Sequence, residues 1–349
     1  MMFSFMRCSP VARIKVTARR AIAGRARTHT RVAAAPSSAA PSSAAPLSAV
    51  LFSAVLVAAT GCATSTASAP AGSGAPDKKI VVVAAENFWG SIARQLGGSR
   101  VAESAIITNP ASDPHDYEPT AADARTMTEA QYVIVNGIGY DPWATKLLSA
   151  NPAQGQRTLI VGDQLGLKPG DNPHRWYSPA DVHAVIEKIT ADYKQIDPAD
   201  ATYFAMQKNK FETRALAKYN HLISIIKAKY AGTAVGASES IVSPLAAALG
   251  LRMATPYSFL KAISEGAEPS AADKAAIDRQ IKSKRIKVYI YNSQNATPDI
   301  AAQVREAEAA GIPVTTVTET LVPASATFQD WQATELAGIE AALARATAK

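Results

Sequence analysis

The chain has 349 residues, with 36 Lys plus Arg against 29 Asp plus Glu, a formal charge of +7. The excess lies in residues 1–61, which hold eight basic residues (Arg7, Arg13, Lys15, Arg19, Arg20, Arg25, Arg27, Arg31) and no acidic one, so the remainder has 28 basic against 29 acidic residues, a net −1. A body of nearly zero charge has no electrostatic footprint for a polyanion, which excludes nucleic acid as the main partner.

The basic leader runs through a Pro/Ser/Ala spacer into an apolar run, Leu47 to Ala59, and then Thr60-Gly61-Cys62. That order is the order of an export signal, assigned to residues 1–61. The run is shorter than the about 20 residues a membrane-spanning helix needs. Small residues directly before a cysteine resemble the lipobox of bacterial lipoproteins. The resemblance implies a lipid on Cys62, which becomes the mature N-terminus on the outer face of the cytoplasmic membrane or in the periplasm. Cys8 leaves with the signal, so neither a disulfide nor a thiolate metal site is available afterwards. Residues 63–76 are Ala, Thr, Ser, Pro and Gly and cannot bury apolar surface, so residues 62–77 are assigned as a flexible tether.

Folding is expected to begin at Lys78. Ile80 to Ala84 is a continuous β-branched run, the pattern of a strand covered on both faces, and Asn87 to Leu96 follows with helical spacing until Gly97-Gly98. The unit repeats: strand Val101 to Ile107, helix Thr120 to Ala130, strand Tyr132 to Val135, helix Pro142 to Leu148, strand Leu159 to Val161. Strands alternating with helices predict a mostly parallel α/β sheet, here an N-terminal lobe over residues 78–197.

Two helical segments then run back to back, Ser178 to Gln195 and Pro198 to Tyr230. The second is long enough for a rod of about 50 Å, which spans lobes better than it fits inside one. It is assigned as a linking helix, residues 198–231. A C-terminal lobe, residues 232–349, resumes the rhythm with strand Ala234 to Ala237, helices Ile241 to Leu249 and Ser270 to Lys282, strand Ile286 to Tyr291, helix Pro298 to Ala310, strand Val314 to Val317 and helix Phe328 to Ala346. The expected fold class is therefore α/β: two Rossmann-like lobes with mostly parallel sheets, joined by one long rigid helix. Ligands of open α/β sheets bind beyond the carboxyl ends of the strands, which puts the site in the inter-lobe cleft.

Four histidines follow the leader. His115 stands in Asp113-Pro114-His115-Asp116-Tyr117-Glu118-Pro119, and His174 in Asn172-Pro173-His174-Arg175-Trp176; both are in proline-stiffened loops of the kind that hold ligands. His183 lies inside a helix and His221 on the polar flank of the rod, where packing or surface roles suffice. The C-terminal lobe has no histidine, so a metal held between lobes needs carboxylates from that side. Glu239 and Glu319 each directly follow a strand, and Asp330 is the reserve for Glu319.

These segments, with Ala85-Glu86-Asn87-Phe88-Trp89, Asn136-Gly137-Ile138-Gly139-Tyr140-Asp141, Ala237-Ser238-Glu239, Tyr291-Asn292-Ser293-Gln294 and Thr318-Glu319-Thr320-Leu321, resemble the TroA-like (ZnuA-like) lipoproteins. Those are the substrate-binding proteins of bacterial manganese and zinc ABC transporters. The resemblance covers almost everything from Lys78 to Leu343. It implies metal ligands at His115, His174, Glu239 and Glu319, and one divalent ion (Zn²⁺ or Mn²⁺, or else Fe²⁺) as transported ligand. It further implies a monomer whose partners are a membrane permease and its ATPase. The chain lacks the His-rich loop and third histidine of zinc-dedicated members, and has Glu where manganese members end in Asp, so the metal stays open. A metal-dependent surface adhesin and a zinc hydrolase are the alternatives. Against the enzyme, no His-Glu-x-x-His helix, nucleophile elbow or phosphate loop is present.

Overall fold

The computed structural model describes residues 78–348. The export signal, Cys62 and the tether lie outside them. No helix of the described residues is long and apolar enough to cross a membrane.

The first lobe contains β1 (Ile80–Glu86), α1 (Asn87–Gly97), β2 (Val101–Ile107), α2 (Ala121–Glu129), β3 (Tyr132–Val135), α3 (Pro142–Ala150), β4 (Arg157–Ile160), the single turn α4 (Val161–Gln164) and α5 (Pro179–Ile196). Its four strands are all parallel, in the order β2-β1-β3-β4. β3 is buried on both faces, as its unbroken Tyr132-Val133-Ile134-Val135 run requires. Helix starts follow local chemistry. Thr120 and Asp123 form a reciprocal capping box on α2, and Ser178 accepts the Asp181 N–H at the start of α5.

The second lobe repeats the plan with β5 (Ala234–Ala237), α8 (Ser243–Ala248), β6 (Arg252–Met253), α9 (Tyr257–Ser264), α10 (Ala271–Lys282), β7 (Val288–Asn292), α11 (Pro298–Ala309), β8 (Val314–Val317) and α12 (Phe328–Thr347); α6 and α7 lie in the link described below. Its strands are also all parallel, in the order β6-β5-β7-β8. β6 and α9 were not expected from the sequence. A two-residue strand has no readable period, and α9 is a short helix that opens straight after Pro256.

The link is helical from Pro198 to Tyr230 but is not one regular helix: α6 (Ala201–Lys210) and α7 (Ala217–Tyr230) flank a π turn, Phe211–Ala215. There the Leu216 N–H reaches back five residues to the Phe211 carbonyl, at 2.9 Å. The buried positions explain the insertion. Phe204 and Phe211 are seven apart, Tyr219 and Ile226 are seven apart, yet Phe211 and Tyr219 are eight apart. One extra residue in the wider turn brings both pairs onto packed faces. α6 packs on α1 and α5, and α7 packs along α12.

The long C-terminal helix also ties the lobes. Phe328 N–H donates to Ser91 Oγ at 2.9 Å, Gln95 and Gln329 exchange side-chain hydrogen bonds, and the Leu321 N–H reaches Asn87 Oδ1 at 3.3 Å.

Candidate metal centre

His115 sits in the loop after β2. Its N–H donates to Asp113 Oδ1 at 2.9 Å, which closes a local turn around Pro114, and its ring meets Tyr140 edge-on at 4.7 Å. His174 is fully buried. Pro173, before it, is fastened through its carbonyl to Asn136 Nδ2 at 3.0 Å, while Asn136 Oδ1 accepts Trp89 Nε1 at 3.0 Å. Behind the ring lies Trp176, which stacks on Phe88 at 3.9 Å. Thus the wall of the first lobe behind this imidazole is an aromatic layer.

Asn136 belongs to a strained turn. Gly137, Ile138 and Gly139 have φ of 74°, 62° and 82°, a left-handed run that is an outlier for a β-branched residue. Asp141 holds it by accepting the Asn136 and Gly137 N–H groups, both at 2.7 Å. Burial pushes the Asp141 carboxyl up to about 6, and neighbouring Glu86, also fully buried, is raised well above the carboxylate range, by burial first and Asp141 second. The Asp141 carboxyl thus makes the buried Glu86 harder to ionise.

From the second lobe, Glu319 follows β8 and Glu239 follows β5. Glu319 Oε1 lies 3.3 Å from His174 Nε2 and 3.8 Å from His115 Nε2. Its backbone N–H donates to Gln294 Oε1 at 2.6 Å. Before it, Thr318 is held by Glu335 of α12, which accepts both the Thr318 N–H (2.8 Å) and the Thr318 hydroxyl (2.9 Å). Tyr177 OH joins the same group, 2.7 Å from the Thr318 carbonyl and 2.6 Å from Glu335 Oε2.

One potential ligand atom from each of His115, His174 and Glu319 lies within 4.8 Å of the others. Glu239 stands outside that triad but lines the same cleft of about 130 Å³, with His115, Glu319, Ser264, Asn295 and Asp113. The electrostatics are those of a site short of positive charge. Burial raises the Glu319 carboxyl, but the hydrogen bond and charge of His174 outweigh this and hold it below its ordinary value. Glu239 goes the other way, up to about 8, through burial and then the nearby Glu319 charge. His174 is lowered, mainly by burial. A divalent cation among these groups would offset the carboxylate repulsion that pushes Glu239 up.

The other expectations fall elsewhere. His183 is exposed, with Nδ1 3.0 Å from Glu212 and Nε2 3.8 Å from Glu187. Although these three could also gather round an ion, Lys208 already lies against Glu187 and 3.7 Å from Glu212, and supplies the cation. His221 is exposed on α7. Asp330 is not in the cleft: its N–H donates to Thr327 Oγ1 and its carboxylate accepts that hydroxyl at 2.6 Å, as a cap of α12. Sequence reasoning gave no role to Asn172, Asn292, Gln294, Asn295 or Glu335. Asn172 stands two residues before His174, a local signal; Asn292, Gln294 and Asn295 reach Glu319 and Glu239 only across long stretches of chain, and Glu335 lies mid-helix.

Comparison with known sequences decides the relationship. The sequence model of the family described as zinc-uptake complex component A, periplasmic (ZnuA), matches residues 82–342. The chain belongs to that family. Among curated relatives, the zinc-binding lipoprotein AdcA of Streptococcus pneumoniae is 27% identical over 232 residues, 60% of this chain and 44% of AdcA. The manganese-binding lipoprotein MntA of Halalkalibacterium halodurans is 26% identical over 150 residues (42% and 48%). The iron-binding protein YfeA of Yersinia pestis is 30% identical over 130 residues (36% and 42%). The chain thus spans about half the length of the curated relatives it matches. Among solved structures, the manganese-bound S38A mutant of a periplasmic metal binding protein from candidatus Liberibacter asiaticus superposes with a TM-score of 0.65 at 21% identity, over 76% of this chain and 100% of the other. Zn(II)-bound AdcA superposes at 0.59 with 17% identity, over 76% and 58%. These structures share the fold of two parallel-sheet lobes.

Proposed function

We propose that the protein is the extracytoplasmic solute-binding component of an ABC importer: it captures one divalent transition-metal ion between its lobes and hands it to a membrane permease driven by an ATPase. His115, His174, Glu239 and Glu319 are the ligands. The observation that carries this reading is the convergence of His115 Nε2, His174 Nε2 and Glu319 Oε1 from opposite lobes, beside a small polar cleft that His115, Glu239 and Glu319 line. Two neutral imidazoles and two carboxylates around a divalent ion make a neutral cluster, which can be buried at lower cost than a charged one. Zn²⁺, Mn²⁺ and Fe²⁺ all suit such a mixed shell, and the family relatives are named for each of the three.

A shell of four protein donors suits capture and release and leaves no open position for an attacking water, so the protein catalyses no reaction. In the cell it is tethered to the outer face of the cytoplasmic membrane by lipid on Cys62, and works as a monomer.

Metal titration calorimetry tests the site. His115→Ala, His174→Ala and Glu319→Gln should each weaken Zn²⁺ binding by about a hundredfold or more, while His183→Ala and His221→Ala titrate like the parent. Equal affinities across all five variants would refute the assignment.

A further inference from the structure

Each residue facing the cleft has its polar atoms divided between protein partners and the open side. Glu319 Oε2 lies 3.3 Å from Asn292 Nδ2, whereas Oε1 is turned to the two histidines. Glu239 Oε2 takes Asn295 Nδ2 and the Ser264 hydroxyl, each at 3.5 Å, whereas its Oε1 is buried with no hydrogen-bond partner. His174 Nδ1 is occupied by Asn172 Oδ1 at 2.9 Å, and His115 Nε2 is a buried nitrogen with no hydrogen-bond partner. Every side chain has one atom left for an ion, two nitrogens and two oxygens in all.

We propose that Asn292 and Asn295 are specificity-determining residues: each holds one oxygen of a ligand carboxylate, so that Glu319 and Glu239 bind through one oxygen apiece and the cleft selects a four-coordinate ion, Zn²⁺, over Mn²⁺. The inference rests on the ligand set proposed above. Its physical basis is coordination number. Zn²⁺ is satisfied by four N and O donors in a tetrahedron, whereas Mn²⁺ favours a larger, oxygen-rich shell. A carboxylate that brings both oxygens to the ion adds a donor, and two such carboxylates complete a six-donor shell with the imidazoles. To do so, Glu319 would have to give up the Asn292 amide.

Asn292 cannot follow it. The residue is fully buried, its N–H donates to Ser238 Oγ at 3.1 Å, and its Oδ1 accepts the Gln294 N–H at 2.9 Å. Rotating the carboxylate onto an ion would cost the hydrogen bond between Glu319 and this buried amide, an unfavourable exchange. The backbone is fixed as well, since Gln294 Oε1 accepts the N–H groups of both Glu319 (2.6 Å) and Thr320 (3.0 Å). Asn292 ends β7 and Asn295 lies in the loop that follows it, so a single segment sets the denticity of both acidic ligands. Three of its members, Asn292, Gln294 and Asn295, carry amide side chains of fixed length and no charge, which can hold an oxygen without competing for the ion.

The test is calorimetric titration of parent, Asn292→Ala, Asn295→Ala and His174→Ala with Zn²⁺ and with Mn²⁺, joined to zinc-edge X-ray absorption. Removing either amide should narrow the zinc-to-manganese affinity ratio by about tenfold or more, the usual size of outer-shell effects. Light-atom coordination of the bound zinc should rise from about four toward five as a freed carboxylate turns both oxygens inward. Should Asn292→Ala fail to fold, the Asn295→Ala ratio decides. A parental ratio in the folded amide variants overturns the proposal, and so does an equal loss of both metals, which would make the amides supports without selectivity. The ligand set is judged separately: it is wrong if His174→Ala binds zinc as the parent does, whatever the amide variants do.

Discussion

Asn172 and His174 are joined twice through one oxygen: Asn172 Oδ1 accepts the His174 backbone N–H at 3.0 Å and lies 2.9 Å from its Nδ1. The second contact assigns the imidazole proton to Nδ1 and so leaves the Nε2 lone pair facing the cleft. Asn172 Nδ2 meanwhile donates across to the Ser240 carbonyl of the second lobe at 2.8 Å. One side chain therefore selects the tautomer of His174, a proposed ligand, and links the two walls of the site.

Removing that side chain should show both effects. Asn172→Ala is expected to weaken zinc binding by about 10- to 100-fold, and Asn172→Asp, which keeps the acceptor, should recover part of it. Competition against a chromophoric chelator measures the difference. An alanine variant that competes as well as the parent would mean that the Nδ1 contact has no part in binding.

Glu239 should lose a proton when the ion arrives. Burial and the Glu319 charge raise its carboxyl to about 8, so below that pH the metal-free protein carries a proton that coordination expels. Affinity should accordingly rise with pH up to about 8 and level off above it. Near pH 7, calorimetry in buffers of different ionisation enthalpy should register about one more proton released by the parent than by Glu239→Gln. Identical release by the two proteins would remove Glu239 from the shell.

Glu335 gives a stability signature independent of the metal. Its carboxyl is pushed up to about 8 by burial, against about 4.3 in an unfolded chain. Between those values the folded state keeps a proton that the unfolded state has lost, so this group's contribution becomes less favourable as pH rises from about 4 to 8. Glu335→Gln lacks the titration. Thermal unfolding of the metal-free proteins should show the parent losing about 5 °C relative to the variant between pH 5 and pH 9. Parallel profiles would rule this out.

The anchor has its own test. Cys62→Ser should abolish incorporation of labelled fatty acid and release the protein from membranes, or leave an uncleaved precursor. Metal affinity measured on protein starting at Lys78 should match the full-length value, because all four proposed ligands lie beyond residue 77. Continued labelling of the serine variant would dismiss the lipid assignment.

What could be read in advance was whatever depends on near neighbours in the chain. The β-branched runs of β1 and β3 are strands because their side chains fit between two helical layers, and Thr120 and Ser178 start helices because their hydroxyls accept an N–H three residues on. His115 and His174 were conspicuous because each directly follows a proline in a stiffened loop, and Glu239 and Glu319 because each follows a strand directly. What needed the tertiary structure was every relation across long stretches of chain. The π turn exists because Phe204 and Phe211 must face one set of helices and Tyr219 and Ile226 another, a demand that appears only once α1, α5 and α12 are in place. Glu335 reads as one more polar residue of α12 until Tyr177, 158 positions earlier, comes within 2.6 Å of it. The division of each carboxylate into one oxygen held by an amide and one oxygen turned inward depends on side-chain directions at the ends of β5, β7 and β8. Residue order names the groups that can bind an ion, and the packing of two sheets decides which of their atoms remain to do it.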